Sequence, residues 1–426
     1  MASPVTPPRG MRDFLPADKA KRERVLGVIR ETYAAHGFDE IETPVMEDFG
    51  RLHAGLGGDN EKLAFNVMRR GLDAEALRAA AESDDPDALA DLGLRFDLTV
   101  PLARFYASHR ASLPQVFRSV QIAPVWRAER PQKGRYRQFV QCDIDIIGEA
   151  GILAEIELLT ATLATLDALG LENCRIRIND RRILLGLLEH FGFEASQNDS
   201  VLITIDKLDK VGPEGVVAEL REKGSRPEAV EAIERFLAVS PPVLPEGVAQ
   251  DAVADLARIE SALAAAGVDG ALVFDPFLVR GMGYYTGTIF EIEHPDFTFS
   301  LGGGGRYDGM IGRFLTESVP ACGFSIGFER IIDLVADPAA GNVRSVVLVH
   351  EKNADPTQLL SLKRQLVADG VRVRLERRTK NLANLLDRVA SAGFTEFAVV
   401  YPDTIDASTL PIKRLPGTES GEVVIA

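Results

Sequence analysis

Two strand-like runs on either side of a short turn are the feature that most constrains the fold of this chain. The runs "QVFRSVQIAPVWRAE" and "RYRQFVQCDIDIIG" flank "RPQKG", and both contain many of the β-branched and aromatic residues that favour strands. Two such runs joined by a glycine-containing turn predict a long antiparallel hairpin with basic residues at its tip. We therefore expect an antiparallel sheet in this part of the chain.

The basic residues of the hairpin contrast with the charge of the whole chain. The 426 residues carry a net charge of −15, yet residues 118–138 hold six Lys/Arg and one acid. Residues 341–426 are also slightly basic, with twelve Lys/Arg and ten acids. An acidic background with two positive regions favours a particular polyanion over nonspecific ones.

Length and composition predict a folded protein of two or three domains. The 46% hydrophobic and 26% charged residues are typical of globular proteins. Cys142, Cys174 and Cys322 are far apart, which argues against a disulfide framework or a thiolate zinc site and fits a reducing cytoplasm. The N-terminal sequence has prolines where a signal peptide needs an apolar segment, and no apolar run of ~18 residues occurs. We expect a soluble, untargeted, cytoplasmic protein with no membrane partner.

Periodicity and turn signals divide the first half of the chain into helices and strands. Residues 17–37 predict a helix with Leu26, Ile29 and Tyr33 on one face and Gly37 as its C-cap. The extended segment "FDEIETPVME" follows, and the acidic, alanine-rich residues 67–91 are typical of an exposed helical excursion. "LGLRFDLTV" predicts a strand, "AEIELLTATLATLDALG" a helix and "RIRIND" another strand.

A helical block interrupts the β-rich sequence. Residues 181–268 have helical, highly charged patterns, whereas strand-like sequence resumes in "ALVFDPFLVRGMGYYTGTIFEIEH". A break at "ADPAAGN" precedes a β-α-β-α-β pattern, which predicts a small, mainly parallel sheet. We therefore predict a β-rich domain of residues 1–180 and 269–336, a helical insertion of residues 181–268, and a separate α/β domain of residues 344–426.

Polar residues on the hairpin are candidates for a binding site. Arg127 and Arg137 lie on opposite sides of the turn, where two guanidinium groups suit one phosphate, although on charge alone a solvated hairpin is the simpler interpretation. Gln141, Asp143 and Asp145 alternate along the second strand and therefore share one face. If both faces of the sheet are covered, these side chains require a polar ligand.

Three further motifs combine glycine, aromatic and arginine residues. "LGGGGRYDG", residues 301–309, has four glycines after a strand, which fits a flexible linker or close approach of the backbone to a ligand, but not a P-loop or dinucleotide fingerprint. In "VRGMGYYTG", Arg280, Tyr284 and Tyr285 offer charge and stacking surface, or form a buried aromatic cluster. Arg330 lies in the first turn of a helix predicted to begin near Phe328, where it joins a positive helix end or is simply exposed.

Together these motifs resemble those of the class II aminoacyl-tRNA synthetases, and among them the histidyl-tRNA synthetases. "PRGMRDFLP" with the following helix and strand is similar to the N-terminal signature and motif 1, "RAERPQKGRYRQFVQCDIDIIG" to motif 2, and "GFSIGFERI" to motif 3. "VRGMGYYTG" and "GGGGRYDG" resemble the histidine-specific signatures. The resemblance covers nearly the whole chain. It implies an α+β fold with an antiparallel sheet flanked by helices, a helical insertion domain and a C-terminal α/β anticodon-binding domain.

The resemblance implies ATP-dependent ligation of L-histidine to tRNA(His) through a histidyl-adenylate. A carboxylate that attacks the α-phosphorus brings two anions together, so arginines and Mg²⁺ must supply positive charge. By similarity, Arg127 holds the α-phosphate, Arg280 stabilises that phosphate and the incoming carboxylate, and Arg330 binds the γ-phosphate. Phe139 stacks on the adenine and Glu129 lies near its amino group. No protein side chain is assigned to the metal.

The same resemblance assigns the remaining site residues. Asp97, Thr99 and Gln141 match the positions that accept the α-ammonium group of histidine. The imidazole pocket is formed by a carboxylate and three phenols, namely Asp145, Tyr284, Tyr285 and Tyr307. The expected contacts to tRNA lie in the hairpin turn and are Gln132, Lys133 and Arg135. A homodimer with motif 1 in its interface is also implied.

Two other functions share much of this pattern. One is a histidine-binding regulatory subunit of ATP phosphoribosyltransferase, which typically lacks the C-terminal domain and does not charge tRNA. The other is a paralogue that activates histidine for a different acceptor. One departure from the family pattern is Gly283, which stands where many relatives have an acid beside the tyrosine pair.

Overall fold

The computed structural model describes residues 5–56, 63–83, 86–132, 134–239, 242–268, 270–280, 283–297, 299–336 and 344–415. The chain divides into two compact units. The first comprises the N-terminal segment up to Arg12 together with Gly27–Ala336. The second comprises Asp13–Leu26 and the chain from Asp337 onward. The predicted helical insertion belongs to the first unit, and its status as a separate domain stays a prediction.

The elements of the described residues follow the α+β class that the resemblance implies. The strands are β1 (Asp39–Glu40), β2 (Met46–Asp48), β3 (Phe65–Met68), β4 (Ala90–Leu94), β5 (Phe117–Trp126), β6 (Gln138–Ile147), β7 (Arg175–Asp180), β8 (Leu272–Phe274), β9 (Thr288–Glu293), β10 (Gly302–Arg306), β11 (Ala321–Gly327), β12 (Ser345–His350), β13 (Arg372–Arg377), β14 (Glu396–Val400) and β15 (Lys413–Arg414). The helices are α1 (Pro16–Ala35), α2 (Phe49–Leu56), α3 (Ala74–Glu82), α4 (Thr99–His109), α5 (Leu153–Ala168), α6 (Arg181–Phe191), α7 (Asn198–Ile205), α8 (Leu208–Glu222), α9 (Pro227–Leu237), α10 (Gln250–Ala265), α11 (Asp308–Ile311), α12 (Phe328–Ile331), α13 (Pro356–Ala368) and α14 (Leu382–Ser391).

The predicted hairpin is confirmed and lies within an eight-stranded sheet. Strands β5 and β6 pair antiparallel from Phe117 opposite Ile147 to Trp126 opposite Gln138. The strand order is β1-β5-β6-β11-β10-β9-β7-β8, with parallel pairs only at the two edges. Polar side chains alternate with buried apolar ones along β6, because neighbouring residues of a strand face opposite sides of a sheet.

The four glycines are strand β10 itself, which rules out a flexible linker, the first of the two interpretations that the sequence allowed. A side chain on this strand would collide with its neighbours: a Cβ on Gly304 would lie 1.9 Å from the carbonyl oxygen of Gly323. On the core face, Phe290 and Phe324 are the partners of Gly304 on either side, and their rings stack at 5.7 Å. Glycine thus lets two buried phenyl rings meet across the strand.

The segment "LGLRFDLTV" also differs from its prediction as a single strand. Strand β4 ends at Leu94, and helix α4 begins at Thr99. The residue between them that matters for the site is Asp97, whose Oδ1 accepts a hydrogen bond of 3.1 Å from the backbone N–H of Val100 in the first helical turn. A carboxylate at this position satisfies an N–H that the helix leaves unpaired, which favours a helix start over a continued strand.

A second, three-stranded sheet with the order β2-β4-β3 lies in the same unit. In the sequence this sheet follows the helix and extended segment of motif 1. The predicted exposed helix is present as α3, and Asp73 caps its N-terminus. Several large apolar side chains on or beside this sheet are exposed. They are Val45, Met46, Met68 and Leu92.

The second unit contains the predicted parallel sheet, with strand order β13-β12-β14-β15 and an antiparallel edge. The central strand β12, "SVVLVH", is apolar on both faces because both faces are covered. Val346 and Leu348 pack in a cluster with residues of α13, while Val347 and Val349 pack with residues of α14. The β-α-β-α-β prediction is therefore confirmed in its described part.

Gly304→Ala tests the requirement for bare backbone in β10. We expect a loss of about 1–3 kcal/mol of stability, measured as a lower Tm in thermal unfolding, because the methyl group collides with buried backbone of β11 that cannot move without disturbing the sheet. Gly309→Ala is the matched control, since an added Cβ there meets no atom within 4 Å. Equal Tm values for the two variants would show that β10 does not depend on glycine.

Candidate active site

A cavity of about 470 Å³ opens on the polar face of the large sheet. It is lined by every residue that the resemblance assigns to ATP or histidine: Asp97, Thr99, Arg127, Glu129, Phe139, Gln141, Asp145, Arg280, Tyr284, Tyr285, Tyr307 and Arg330. These residues come from segments up to 233 positions apart in the sequence, between Asp97 and Arg330. The residues lie close together in the fold because β6, β9, β10 and β11 are neighbouring strands of the sheet and the loops beside these strands are adjacent.

Arginines form one end of the cavity. Arg127, Arg135, Arg280 and Arg330 all line it. Burial and the neighbouring arginine charges lower the pKa of Arg330 to about 10. Like charges brought together at a partly buried place are stabilised when an anion binds between them, so this end suits a polyphosphate.

Arg127 is held between two aromatic rings. Its guanidinium carbon lies 4.4 Å from the ring centre of Phe96 and 5.0 Å from that of Phe139. Its Nε donates to the carbonyl oxygen of Phe96 at 3.2 Å, and Nη2 donates to Oε1 of Gln141 at 3.4 Å. Burial lowers the pKa of Arg127, with the carboxylate of Asp97 acting in the opposite direction. The rings fix the position of the charge without neutralising it.

Arg280 lies directly on the glycine strand. A Cβ on Gly303 would be 2.8 Å from the guanidinium carbon of Arg280, so only glycine leaves room for it. Nη1 donates to Oε2 of Glu291 at 2.8 Å, whereas the buried Nε has no hydrogen-bond partner among the described residues. Burial acts to lower the pKa of Arg280, but Tyr285 and Glu291 outweigh burial and the pKa is raised.

Carboxylates form the other end of the cavity. Asp97, Asp143 and Asp145 are each at least 96% buried, and none takes part in an ion pair within the described residues. Burial raises the pKa of all three, most strongly for Asp143, where the charge of Asp145 adds to the effect. Oδ2 of Asp97 has no hydrogen-bond partner within the same set. A cationic ligand with N–H donors would satisfy this end.

Asp145 lies at the carboxylate end beside three tyrosines that also line the cavity. Its Oδ1 accepts a hydrogen bond of 2.5 Å from the Tyr307 hydroxyl. The opposite residue on β11 is Gly323, where a Cβ would lie 1.9 Å from Oδ1 of Asp145. Tyr284 packs against Tyr307 with ring centres 6.0 Å apart and against Tyr285 at 4.9 Å. The three phenols and the carboxylate therefore enclose one small polar pocket.

The hairpin turn brings one of its predicted tRNA-contacting residues to the cavity, and the tRNA contacts themselves stay a prediction. Gln132 and Arg135 pair through backbone hydrogen bonds, and Arg135 lines the cavity, where Nη1 lies 3.3 Å from Oε2 of Glu129. Lys133 lies outside the described residues. Arg137 does not converge with Arg127 on the cavity, because its Nε donates to the carbonyl oxygen of Glu129 instead.

Several residues that support the site gave no clear signal in the sequence. Arg306, at the end of the glycine strand, donates to both carboxylate oxygens of Glu155 at 2.7 and 2.6 Å, and the Thr288 hydroxyl donates to the same carboxylate at 2.8 Å. Glu291, on strand β9 next to the glycine strand, accepts a hydrogen bond from Arg280. Among the polar residues of the site outside the family assignment, the sequence indicated only Asp143, through the alternation of polar residues along β6.

Asp145→Asn tests how much the burial of a charged carboxylate lowers the stability of the folded chain. Burial raises the pKa of Asp145 from 3.8 to about 7, so between these values the folded chain keeps a proton that the unfolded chain has lost. Stability from this group therefore falls as pH rises from about 4 to 7. Asn cannot ionise but can still accept from Tyr307. We expect the gain in free energy of unfolding of Asp145→Asn over wild type, measured by thermal unfolding, to be larger at pH 8 than at pH 5, by about 2 kcal/mol.

The exposed Asp369 supplies the control for that measurement, because Asp369→Asn removes a surface charge of the same type. Its effect on Tm should be nearly the same at both pH values. A gain for Asp145→Asn that does not change with pH would contradict the assignment of a raised pKa to this carboxyl group.

Comparisons with known proteins agree with this geometry. A family model described as histidyl-tRNA synthetase matches residues 10–331. The histidine–tRNA ligase of Leifsonia xyli subsp. xyli is 62% identical over 97% of this chain and 99% of its own. The solved histidyl-tRNA synthetase of Nostoc sp. PCC 7120 superposes with a TM-score of 0.74 at 26% identity, covering 96% of this chain and 93% of that one.

A further solved structure shares the fold at lower identity. It is described as an ATP phosphoribosyltransferase regulatory subunit/histidyl-tRNA synthetase from Bacillus halodurans, with a TM-score of 0.72 and 20% identity over 94% of this chain and all of that one. At this identity the likeness concerns the fold alone. The family match over three quarters of the chain and the 62% identity are decisive, and the chain belongs to the histidyl-tRNA synthetase family.

Proposed function

We propose that this chain joins L-histidine to tRNA(His) at the expense of ATP, by way of a histidyl-adenylate. The observation that carries the proposal is the division of one cavity into an arginine end and a carboxylate end. Such a cavity suits a ligand pair in which one partner is a polyphosphate and the other carries an ammonium group. ATP and an amino acid are such a pair, and family membership identifies the amino acid as histidine.

The first step forms a bond between a carboxylate oxygen of histidine and the α-phosphorus, while the bond from the α-phosphorus to the bridging oxygen breaks and pyrophosphate leaves. Both reactants are anions, so positive charge and positioning provide most of the catalysis. Arg127 holds the α-phosphate from between its two aromatic rings. Arg280, whose Nε has no hydrogen-bond partner in the described part of the chain, binds the α-phosphate and the incoming carboxylate, and Arg330 binds the γ-phosphate.

Recognition of histidine takes place at the carboxylate end. The α-ammonium group donates to the free oxygen of Asp97, the hydroxyl of Thr99 and Oε1 of Gln141, which gives three acceptors for three N–H groups. The imidazole donates one N–H to Asp145 and accepts from Tyr285. Apolar side chains of similar size are rejected, because they would leave this buried carboxylate and phenol unpaired.

The remaining ATP and RNA contacts lie beside the arginine end. Phe139 offers a face to the adenine, and Glu129 accepts from its amino group. In the second step a ribose hydroxyl of the terminal tRNA nucleotide attacks the adenylate carbonyl, and AMP leaves. The hairpin turn with Gln132, Lys133 and Arg135 receives the acceptor end, and the α/β domain of residues 344–426 binds the anticodon.

Mg²⁺ accompanies ATP in this proposal. The described residues contain no group of three or more His, Cys, Asp or Glu side chains placed to hold a metal ion. Mg²⁺ commonly keeps water and phosphate ligands and takes one or two carboxylates from the protein. Glu291, which lines the cavity, fits that limited role. The ion would neutralise phosphate charge as pyrophosphate leaves.

A homodimer and a cytoplasmic location complete the proposal. The exposed apolar residues Val45, Met46, Met68 and Leu92 beside the three-stranded sheet support a second copy as the partner there, because large exposed apolar side chains cluster at interfaces. None of the three cysteines forms a disulfide within the described residues, which fits a reducing compartment, and no described helix is long and apolar enough to span a membrane. Light scattering of the purified chain should give the mass of a dimer; an active monomer would exclude this arrangement.

The experiment that tests the function is ATP–pyrophosphate exchange with each of the twenty amino acids, followed by charging of tRNA(His). Exchange with histidine alone and subsequent charging are expected. Exchange without charging would favour the paralogue that uses another acceptor. Histidine binding without exchange would favour the regulatory subunit of ATP phosphoribosyltransferase.

Arg280→Ala tests the role of the arginine on the glycine strand. We expect adenylate formation in a single turnover to slow by about a hundredfold or more, because the charge acts chiefly as the carboxylate attacks, while histidine binding changes little. Arg118→Ala is the matched control: Arg118 also lies in the large sheet, but it pairs with Glu157 and does not line the cavity. A normal rate of adenylation in Arg280→Ala would exclude this role.

A further inference from the structure

Asp143 is a buried carboxylate of the cavity to which the family resemblance assigns no role. It lies on β6 between Gln141 and Asp145, is only 4% exposed, and lines the cavity. Its cross-strand neighbours are Gln121 on β5 and Ser325 on β11. The polar face of the sheet thus has a carboxylate at its centre, next to the amide of Gln141.

The contacts of the Gln141 carboxamide are directional. Nε2 lies 2.9 Å from Oγ of Ser325 and 3.3 Å from each carboxylate oxygen of Asp143. Oε1, at the opposite end of the same amide, lies 3.4 Å from Nη2 of Arg127. A carboxylate therefore lies at the NH₂ end of the amide and a guanidinium group at its oxygen end.

Rotation of this amide by half a turn would be unfavourable at both ends. The hydrogen bonds from Nε2 to Asp143 and Ser325 would be lost, and the NH₂ group would face the Arg127 guanidinium, so the attractive contact at that end would become repulsive. In the observed orientation only the oxygen remains available on the side of the cavity where an ammonium group would bind. The amide is consequently an acceptor for the amino-acid substrate and not a donor.

Direct contact between Asp143 and the ammonium group is not needed for this effect. The proposed acceptors Asp97, Thr99 and Gln141 already match the three N–H groups. Asp143 accepts hydrogen bonds from Gln141 and lies opposite Ser325 on β11, and it is placed between the ammonium acceptors and the imidazole pocket at Asp145. Its most direct route to the substrate is thus through the amide that it holds.

We propose that Asp143 is a positioning residue for histidine binding, which fixes the carboxamide of Gln141 with its oxygen towards the α-ammonium group. The proposal rests on the function proposed above. Asp143 lies outside the set of residues assigned by resemblance. Through its contact with Gln141, the arginine end and the carboxylate end of the cavity meet at one amide. When Asp143 is lost, the amide of Gln141 is able to rotate. The affinity for histidine then falls, although Asp143 itself does not contact the substrate.

A double-mutant cycle measured by calorimetric titration of the full chain with L-histidine tests this inference. Asp143→Ala should weaken histidine binding about tenfold, the size of effect expected when a hydrogen bond to a charged group is lost. Asp143→Asn, which can still offer an oxygen to Nε2, should recover much of that affinity. In a Gln141→Ala background, Asp143→Ala should have little further effect, because the amide through which it acts is absent.

The outcomes separate the inference from the proposed function. If wild type does not bind histidine, the proposed function fails. If wild type binds histidine but the Asp143→Ala and Gln141→Ala effects add, Asp143 acts directly or through the fold, and the positioning role is wrong. ATP affinity, measured for Asp143→Ala and Asp143→Asn, should stay within twofold of wild type; a parallel loss of ATP binding would also overturn the role. Ser325→Ala, which removes the second contact of Nε2, should give a smaller loss in the same direction.

Discussion

The missing side chains of strand β10 are the constraint on which the rest of the site depends. In the middle of a sheet a residue normally projects a side chain on one face, but here Gly302–Arg306 begins with four glycines between two strands that approach too closely for a Cβ. On the core face this lets Phe290 and Phe324 stack. On the cavity face it leaves a floor of bare backbone, over which Arg280 lies at Gly303. The same principle applies at Gly323, which makes room for Asp145.

The cavity above this floor separates positive from negative charge. Charges of one sign that are gathered in a partly buried place raise the free energy of the empty protein, and a complementary ligand relieves that cost. The lowered pKa of Arg330 and the raised pKa values of Asp143 and Asp145 are two expressions of this effect. The two ends are joined by Gln141, whose amide contacts Arg127 with its oxygen and Asp143 with its nitrogen.

Stability of the floor comes from interactions outside the cavity. The buried pair between Arg306 and Glu155 anchors the end of β10 to helix α5, and loss of either partner would leave an uncompensated charge. Phe96 and Phe139 hold Arg127 by packing, which does not cancel its charge. The parts that support the site are therefore apolar or ion-paired. The groups proposed to bind ligand are charged, and several of them have no partner of opposite charge among the described residues. This arrangement is typical of binding sites that are organised before the ligand arrives.

The local sequence determined those features that depend on neighbouring residues in the chain. Alternation along β6 predicted that Gln141, Asp143 and Asp145 share a face, the turn predicted the hairpin, and the apolar run of β12 with its following helices predicted the parallel sheet. The assignment of most site residues came from motif resemblance. The tertiary structure alone decided that the glycine run is a central strand, that Arg137 leaves the cavity while Arg135 enters it, and that Glu291 and Asp143 hold other site residues. These outcomes depend on distances between strands far apart in sequence, and no local pattern of residue types contains those distances.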